Sequence, residues 1–353
     1  MAQAHSKTMK GVLLKGFGGF EQLEYREDLP IPTPDFGEVL IKVGACGINN
    51  TDIWTRQGAY GKSVDDQAES GWRGGAFQFP RIQGADIVGE VVKMGDGVNP
   101  SRLHQRVIVN PSLYQGDDVQ GLYEAGLIGS EMDGGFAEFV AVPESCAIAI
   151  QSLLTDAELA TFMVSYLTAE HMLNRARVRQ GDRVLITGAS GGVGSALVQL
   201  AKRRNAQVIA IVGQGKESSV VEIGADGILH RGETVQTGLQ RLGLETVDVV
   251  ADVVAGPQSS ELLDVLSIGG RFVIAGAIAG AMTAIDWRKI YLKHLDVLGS
   301  TMGTAAEAND LVRYIADGEI KPLLSQTFRL DQIVEAQQTF LQKQFFGKLA
   351  IMP

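Results

Sequence analysis

Residues 184–202, VLITGASGGVGSALVQLAK, constrain the fold more than any other stretch, because a buried strand, a glycine turn and a helix follow one another without a gap. Val184, Leu185 and Ile186 form the short apolar run of a strand covered on both faces, and Val193, Leu197, Val198, Leu200 and Ala201 recur at helical spacing. Between them lie Gly188, Ser190, Gly191, Gly192 and Gly194. Such a turn brings backbone N–H groups close to a pyrophosphate with no Cβ in the way, and a helix starting near Gly192 adds its unpaired amides and positive dipole end. Residues Gly188, Ser190, Gly191, Gly192, Val193 and Gly194 are therefore the candidate phosphate cradle of a dinucleotide site. Ala189 takes the middle glycine position of the GxGxxG pattern, while strand and helix stand where that pattern requires them.

The rest of the chain reads as two domains around this element, as its 353 residues allow. From residue 11 to about 150 short strands and turns dominate, with strands expected at 38–43, 87–93 and 106–109. Residues 155–173 read as one helix. From 182 onward strands (207–212, 227–230, 247–250, 270–275, 296–299) alternate with helices (220–224, 258–266), which predicts a doubly wound parallel sheet of six strands. Helices at 305–317 and 330–341 lead to a last strand, 348–352, expected to rejoin the first domain because the doubly wound core is then complete. The expected division is 1–151 for the β-rich domain, 152–300 for the dinucleotide-binding domain and 301–353 for the return segment. Two long, turn-rich loops, 61–79 and 111–133, are candidates for function.

Charge and cysteine usage exclude several classes. A net charge of −10 opposes binding to nucleic acid or to an anionic membrane. Cys46 and Cys146 are too few for a disulfide framework or a four-cysteine zinc site. No apolar run is long enough to span a bilayer, so the expectation is a cytoplasmic protein acting on a small molecule.

A β-rich domain, GASGGVG in a doubly wound domain, and a return segment ending in GKLAIMP together resemble the medium-chain dehydrogenase/reductase superfamily. GACGINNTDIWTRQGAY, GADIVGEV and GGFAEFVAVP are most similar to its zinc-independent quinone oxidoreductase branch, which includes reductases of activated double bonds. The resemblance implies a GroES-like catalytic domain beside a Rossmann domain, NADP(H) as cofactor, and a homodimer or homotetramer joined around residues 271–300. Zinc alcohol dehydrogenases place ligands where this chain has Asn49, Ala85 and, near the third position, Val164, so no metal is expected. Without that Lewis acid, direct alcohol oxidation loses its activation, whereas a conjugated acceptor needs less help.

The same resemblance assigns roles to further residues. Gly213, after the second doubly wound strand, supplies no carboxylate for a ribose 2′-OH, and Lys216 faces the 2′-phosphate of NADP, its plain reading being a solvated lysine. Arg231 assists there or is a surface arginine. Thr168, Gly276, Ala277, Ser300 and Thr301 pack the nicotinamide and hold its amide. Asn49 and Tyr60 meet the acceptor oxygen or a water, Asp52 orients their loop, and Trp54 offers a stacking surface; turn and cap roles are the alternatives for Asn49 and Asp52. Trp72 and Arg73 are substrate contacts if loop 61–79 closes over the acceptor, and a surface insertion otherwise. His171, with no partner carboxylate on its own helix, reads as structural. The expected activity is hydride transfer from NADPH to a quinone, enone or enal; the alternatives are an alcohol dehydrogenase with altered zinc ligands and an NADPH-binding sensor.

Overall fold

The computed structural model describes residues 8–60, 77–116 and 119–353. They form two compact units, one running to Val164 and including Ala308–Pro353, the other Ser165–Glu307.

In the first unit the central strand is Glu38–Gly47, where Val39, Ile41 and Val43 alternate onto one face and pack with Ile87, Val91, Val107 and Val109. The sheet runs Ala147–Ala149, Arg106–Val109, Asp86–Met94, Glu38–Gly47, Lys348–Met352, Leu324–Arg329, and Phe139–Pro143 also pairs with the central strand. A smaller antiparallel sheet places Thr8–Leu14 between Leu23–Pro30 and Arg81–Ile82. The last strand does rejoin this unit. Its antiparallel register sets Ala350 opposite Gly47, and Gly47 in turn lies opposite Asp86. That double register brings Asn49, Asp86 and Lys348 together at one end of the sheet.

The second unit is the doubly wound sheet. Its six parallel strands run Gly227–His230, Gln207–Val212, Arg183–Ile186, Val247–Asp252, Leu266–Ile274, Asp296–Gly299, the order 3-2-1-4-5-6. Val184, Leu185, Ile186, Val249 and Val250 are wholly buried, as strands covered on both faces must be.

The units divide later than the pattern suggested. Residues 152–164 stay with the β-rich sheet because Arg106 holds Asp156 and the carbonyl oxygens of Ser152 and Leu154. Gly47 approaches them so closely that a Cβ there would come 2.2 Å from the Ala160 oxygen. Residues 301–307 belong to the Rossmann unit, where Gly303 lies against Leu167. The expected helix 155–173 is two helices, Asp156–Leu159 and Met163–Arg175, because its first turn, capped by Thr155 and Glu158, is held on the sheet. Helix Val235–Arg241 and strand Leu324–Arg329 were not foreseen; both present mostly polar, exposed residues that give little periodic signal. Among the described residues no helix is long and apolar enough to cross a membrane.

Candidate active site

The glycine turn joins strand Arg183–Ile186 to helix Gly192–Arg203, with Gly191 as N-cap. Gly188 has φ +58°, and a Cβ on Gly194 would come 2.1 Å from the Gly188 oxygen, so the turn closes only with glycine at both places. Ala189, at the middle position, is fully buried. Gly191 is exposed and Gly192 and Val193 partly so, leaving the first helical turn open to an anion. These residues fit a pyrophosphate.

At the end of the neighbouring strand a Cβ on Gly213 would meet nothing nearer than the Arg231 guanidinium, 3.8–3.9 Å away. The fold therefore leaves room for a side chain at 213. Lys216 is half-buried; burial, and then the charge of Arg231, push its pKa down. Two cations thus crowd the point where a Rossmann strand end meets the ribose. Arg231, read from the sequence as an assisting or a surface arginine, has its guanidinium beside Gly213 and its charge acting on Lys216.

Gly276 is exposed and Ala277 partly buried after strand Leu266–Ile274. Ser300 follows strand Asp296–Gly299, bound through its N–H to the Ile274 oxygen at 2.9 Å. Its hydroxyl oxygen is buried with no partner among the described residues, and Thr301 beside it is exposed. An orphaned hydroxyl at this strand end suits a ligand amide. The Thr168 hydroxyl contacts the Met302 sulfur at 3.9 Å.

The β-rich unit holds a buried polar cluster where the sheet register brings its members together. Lys348 donates to Asp86 Oδ2 at 2.6 Å and to the Asn49 side-chain oxygen. Asn49 Nδ2 donates to the same Asp86 oxygen at 2.9 Å, and the Val164 N–H donates to Asp86 Oδ1 at 2.6 Å. Asn49 heads the short helix Asn50–Arg56, and its N–H donates to Asp52 Oδ2 at 2.7 Å, the back-reaching half of a capping box. Burial pushes the Asp52 carboxyl up to about 7, against the pull of the Asn49 amide and the Lys348 ammonium and with the push of Asp86. Asn49 and Asp52 therefore have the turn and cap roles open to them in the sequence. The Asn49 side-chain oxygen accepts from Lys348, and of the two Nδ2 hydrogens one goes to Asp86 at 2.9 Å and the other has only a long 3.5 Å contact with the Gly47 oxygen.

Tyr60 donates to the Thr51 hydroxyl at 3.1 Å, and its ring meets Trp54 edge-on with centroids 5.6 Å apart. Trp54 braces Tyr60. Burial holds the Tyr60 phenol well above the usual range. Trp72 and Arg73 lie outside the described residues. An apolar cavity of about 510 Å³ beside Met9, Leu29 and Phe139 includes none of the candidate site residues.

Sequence reasoning missed Asp86, Lys348 and the partner of His171. His171 Nδ1 meets Glu307 at 3.0 and 3.2 Å, so the imidazole does have a carboxylate, supplied by a distant segment. A lysine opening an otherwise apolar final strand was the one signal for Lys348. Among the described residues no group of three or more His, Cys, Asp or Glu is placed to hold a metal ion.

With this geometry in place, comparison with known proteins identifies the class. Residues 35–152 match the alcohol dehydrogenase GroES-like domain and residues 192–317 the zinc-binding dehydrogenase family. A solved structure described as a putative alcohol dehydrogenase from Sinorhizobium meliloti 1021 is similar at TM-score 0.95 and 47% identity, covering 99% of this chain and 98% of that one. The acryloyl-coenzyme A reductase of Metallosphaera sedula is 28% identical over 97% of this chain and 99% of its own length. The quinone oxidoreductase of Rattus norvegicus is 27% identical over 98% and 97%. The chain belongs to the medium-chain dehydrogenase/reductase superfamily, a superfamily of oxidoreductases.

Proposed function

We propose that this protein is an NADPH-dependent reductase of conjugated acceptors (quinones, enones, enals or enoyl thioesters) that works without zinc. The observation that carries the reading is the closed set of bonds at the positions where zinc relatives place ligands. Asn49 and Val164 are both bonded to Asp86, Ala85 has no side-chain ligand atom, and the Asp86 carboxylate is already paired with the Lys348 ammonium. The match to the zinc-binding dehydrogenase family covers none of these positions. Quinone and acryloyl thioester, the acceptors named for two relatives, share a carbonyl conjugated with a double bond.

Gly188 to Gly194 would hold the pyrophosphate of NADP(H), Lys216 and Arg231 the 2′-phosphate, and Ser300 and Thr301 the nicotinamide amide, with Gly276, Ala277 and Thr168 packing nearby. NADPH supplies the hydride. When hydride reaches the β-carbon of an acceptor, negative charge develops on the carbonyl oxygen, and a preorganised donor lowers that barrier. Tyr60 fills this role: a hydroxyl pair can reverse direction, so Thr51 can donate to Tyr60 while Tyr60 donates to the acceptor. A phenol raised by burial stays neutral, donating a hydrogen bond without giving up its proton, so the final proton comes from water. Replacing Tyr60 by Phe is expected to lower kcat roughly 10²-fold, the usual effect of losing an oxyanion donor, with NADPH affinity unchanged. Steady-state kinetics with one good acceptor measures this, and an unchanged kcat removes Tyr60 from the mechanism.

Asp52 gives a stability signature. Its folded pKa of about 7 lies above the 3.8 of an ordinary aspartate, so the folded state binds more protons than the unfolded state between these values. Stability from this group is greatest below the unfolded pKa, falls as pH rises towards 7, and is level above it. Asp52→Asn should therefore flatten the decline between pH 5 and pH 8, by up to about 2.5 kcal/mol, the part of the shift lying between pH 5 and about 7. Urea unfolding of both proteins at the two pH values reads the difference; parallel declines would place the Asp52 titration elsewhere.

We also infer a homodimer through the edge strand Asp296–Gly299, which carries exposed Val297 and follows a segment with exposed Trp287, Tyr291 and Leu292. Sedimentation equilibrium should give at least twice the 37.7 kDa chain mass, and a monomer would refute the assignment.

A further inference from the structure

Segment 300–304 carries Ser300 and Thr301, and its far end is held by far more than a helix cap requires. Glu307 Oε2 accepts from the Thr304 N–H at 2.8 Å, and the Glu307 N–H donates to Thr304 Oγ1 at 3.1 Å. That reciprocal pair already caps helix Ala305–Ala316. The same carboxylate takes two further donors from a different helix, Met163–Arg175: His171 Nδ1 at 3.0–3.2 Å and Asn174 Nδ2 at 2.7 Å. Asn174 is itself fixed, because its side-chain oxygen accepts from Arg204 at 2.8 Å, and Arg204 forms a two-point pair with Glu170 at 2.7 and 3.0 Å. Burial pushes the Glu307 carboxyl up, but His171, Asn174 and the Thr304 N–H together hold it at about 2. An ionised carboxylate only accepts, so His171 Nδ1 carries the proton in this contact.

The segment between Ser300 and Glu307 is tightly specified. Met302 is buried in the left-handed region at φ +48°, its sulfur met by the hydroxyl of Thr168, one turn before His171 on the same helix. A Cβ on Gly303 would come 2.6 Å from Leu167 and 2.8 Å from Glu307 Oε2. The helix that carries Thr168 and the segment that carries Ser300 and Thr301 are thus locked together at two points, Thr168 with Met302 and His171 with Glu307. A left-handed non-glycine residue persists only where its surroundings over-determine it.

We propose that His171 is a positioning residue for the nicotinamide end of the cofactor, setting segment 300–304 through Glu307 so that Ser300 and Thr301 meet the carboxamide. This rests on the NADPH reading given above. A helix cap with no such role has no use for the His171 bond, and a purely structural bond would not discriminate between the two ends of the cofactor.

The test compares NADPH with 2′,5′-ADP, which has the adenosine end and no nicotinamide, on the full-length protein. For His171→Leu, NADPH should bind about 10-fold more weakly, the effect of losing one charge-assisted hydrogen bond, and the fluorescence enhancement of bound NADPH should fall. Binding of 2′,5′-ADP should be unchanged. His171→Asn, whose amide reaches where Nδ1 stands, should restore most of the NADPH affinity. If the leucine variant does not fold, Glu307→Gln keeps the cap while removing the charge and should show the same selective loss. Equal losses for both ligands, or no loss for either, overturn the positioning role while the cofactor reading stands. A wild-type protein that binds neither ligand overturns the cofactor reading and this role with it.

Discussion

Lys348→Met is expected to destabilise the protein by about 3–5 kcal/mol, the usual effect of removing one partner from a buried ion pair. Lys348 and Asp86 are 3% and 1% exposed, and after the substitution the Asp86 carboxylate keeps only the neutral donors Asn49 Nδ2 and Val164 N–H. Asp86→Leu should be at least as damaging, since it strands the ammonium and leaves those two donors unpaired. The double variant should lose less than the sum of the singles, because neither charge is then left alone in the core. Thermal and urea unfolding of the four proteins complete the cycle. Additive losses would mean that Lys348 and Asp86 are not coupled. The pair closes the last strand onto the central strand through residues far apart in the chain, so some loss of cooperativity in the β-rich unit is also expected.

Replacing Lys216 and Arg231 together by alanine should weaken NADPH binding about 10²-fold while leaving NADH binding within about twofold. On the proposed reading both side chains would meet the charge of a 2′-phosphate, which NADH lacks. Gly213→Asp should act in the same direction by a different route. There is space for the side chain, the carboxylate would neutralise Arg231, and it would accept from a ribose 2′-OH while repelling a phosphate. Combining the three changes should reverse the preference in favour of NADH. Fluorescence titration with each cofactor measures both constants. Equal weakening for NADPH and NADH would show that the cations serve the turn and not the phosphate.

What the sequence disclosed was local, and what it hid was distant. GASGGVG, the buried strand before it and the helix after it are contiguous, so spacing and glycine chemistry suffice to find them. The return of strand Lys348–Met352 also followed from counting strands in the doubly wound sheet. Lys348 and Asp86 stand 262 residues apart and meet only through the register of two strands on the same neighbour, which no window along the chain contains. His171 and Glu307 are separated by 136 residues, and the imidazole looked partnerless because only its own helix was in view. The single helix expected over 155–173 divides because Arg106 and the close approach of Gly47 hold its first turn on the sheet, a tertiary constraint that overrides helical propensity. Asn49 was singled out through the family resemblance, but its partners Lys348 and Asp86 lay outside any local window.

The most direct test is NADPH oxidation against a panel of quinones, enones, enals and enoyl thioesters, with metal content measured on the same preparation. Turnover is expected with at least one conjugated acceptor, slower turnover with NADH, and zinc far below one equivalent per chain. Stoichiometric zinc together with NAD-dependent oxidation of simple alcohols would contradict the proposed function.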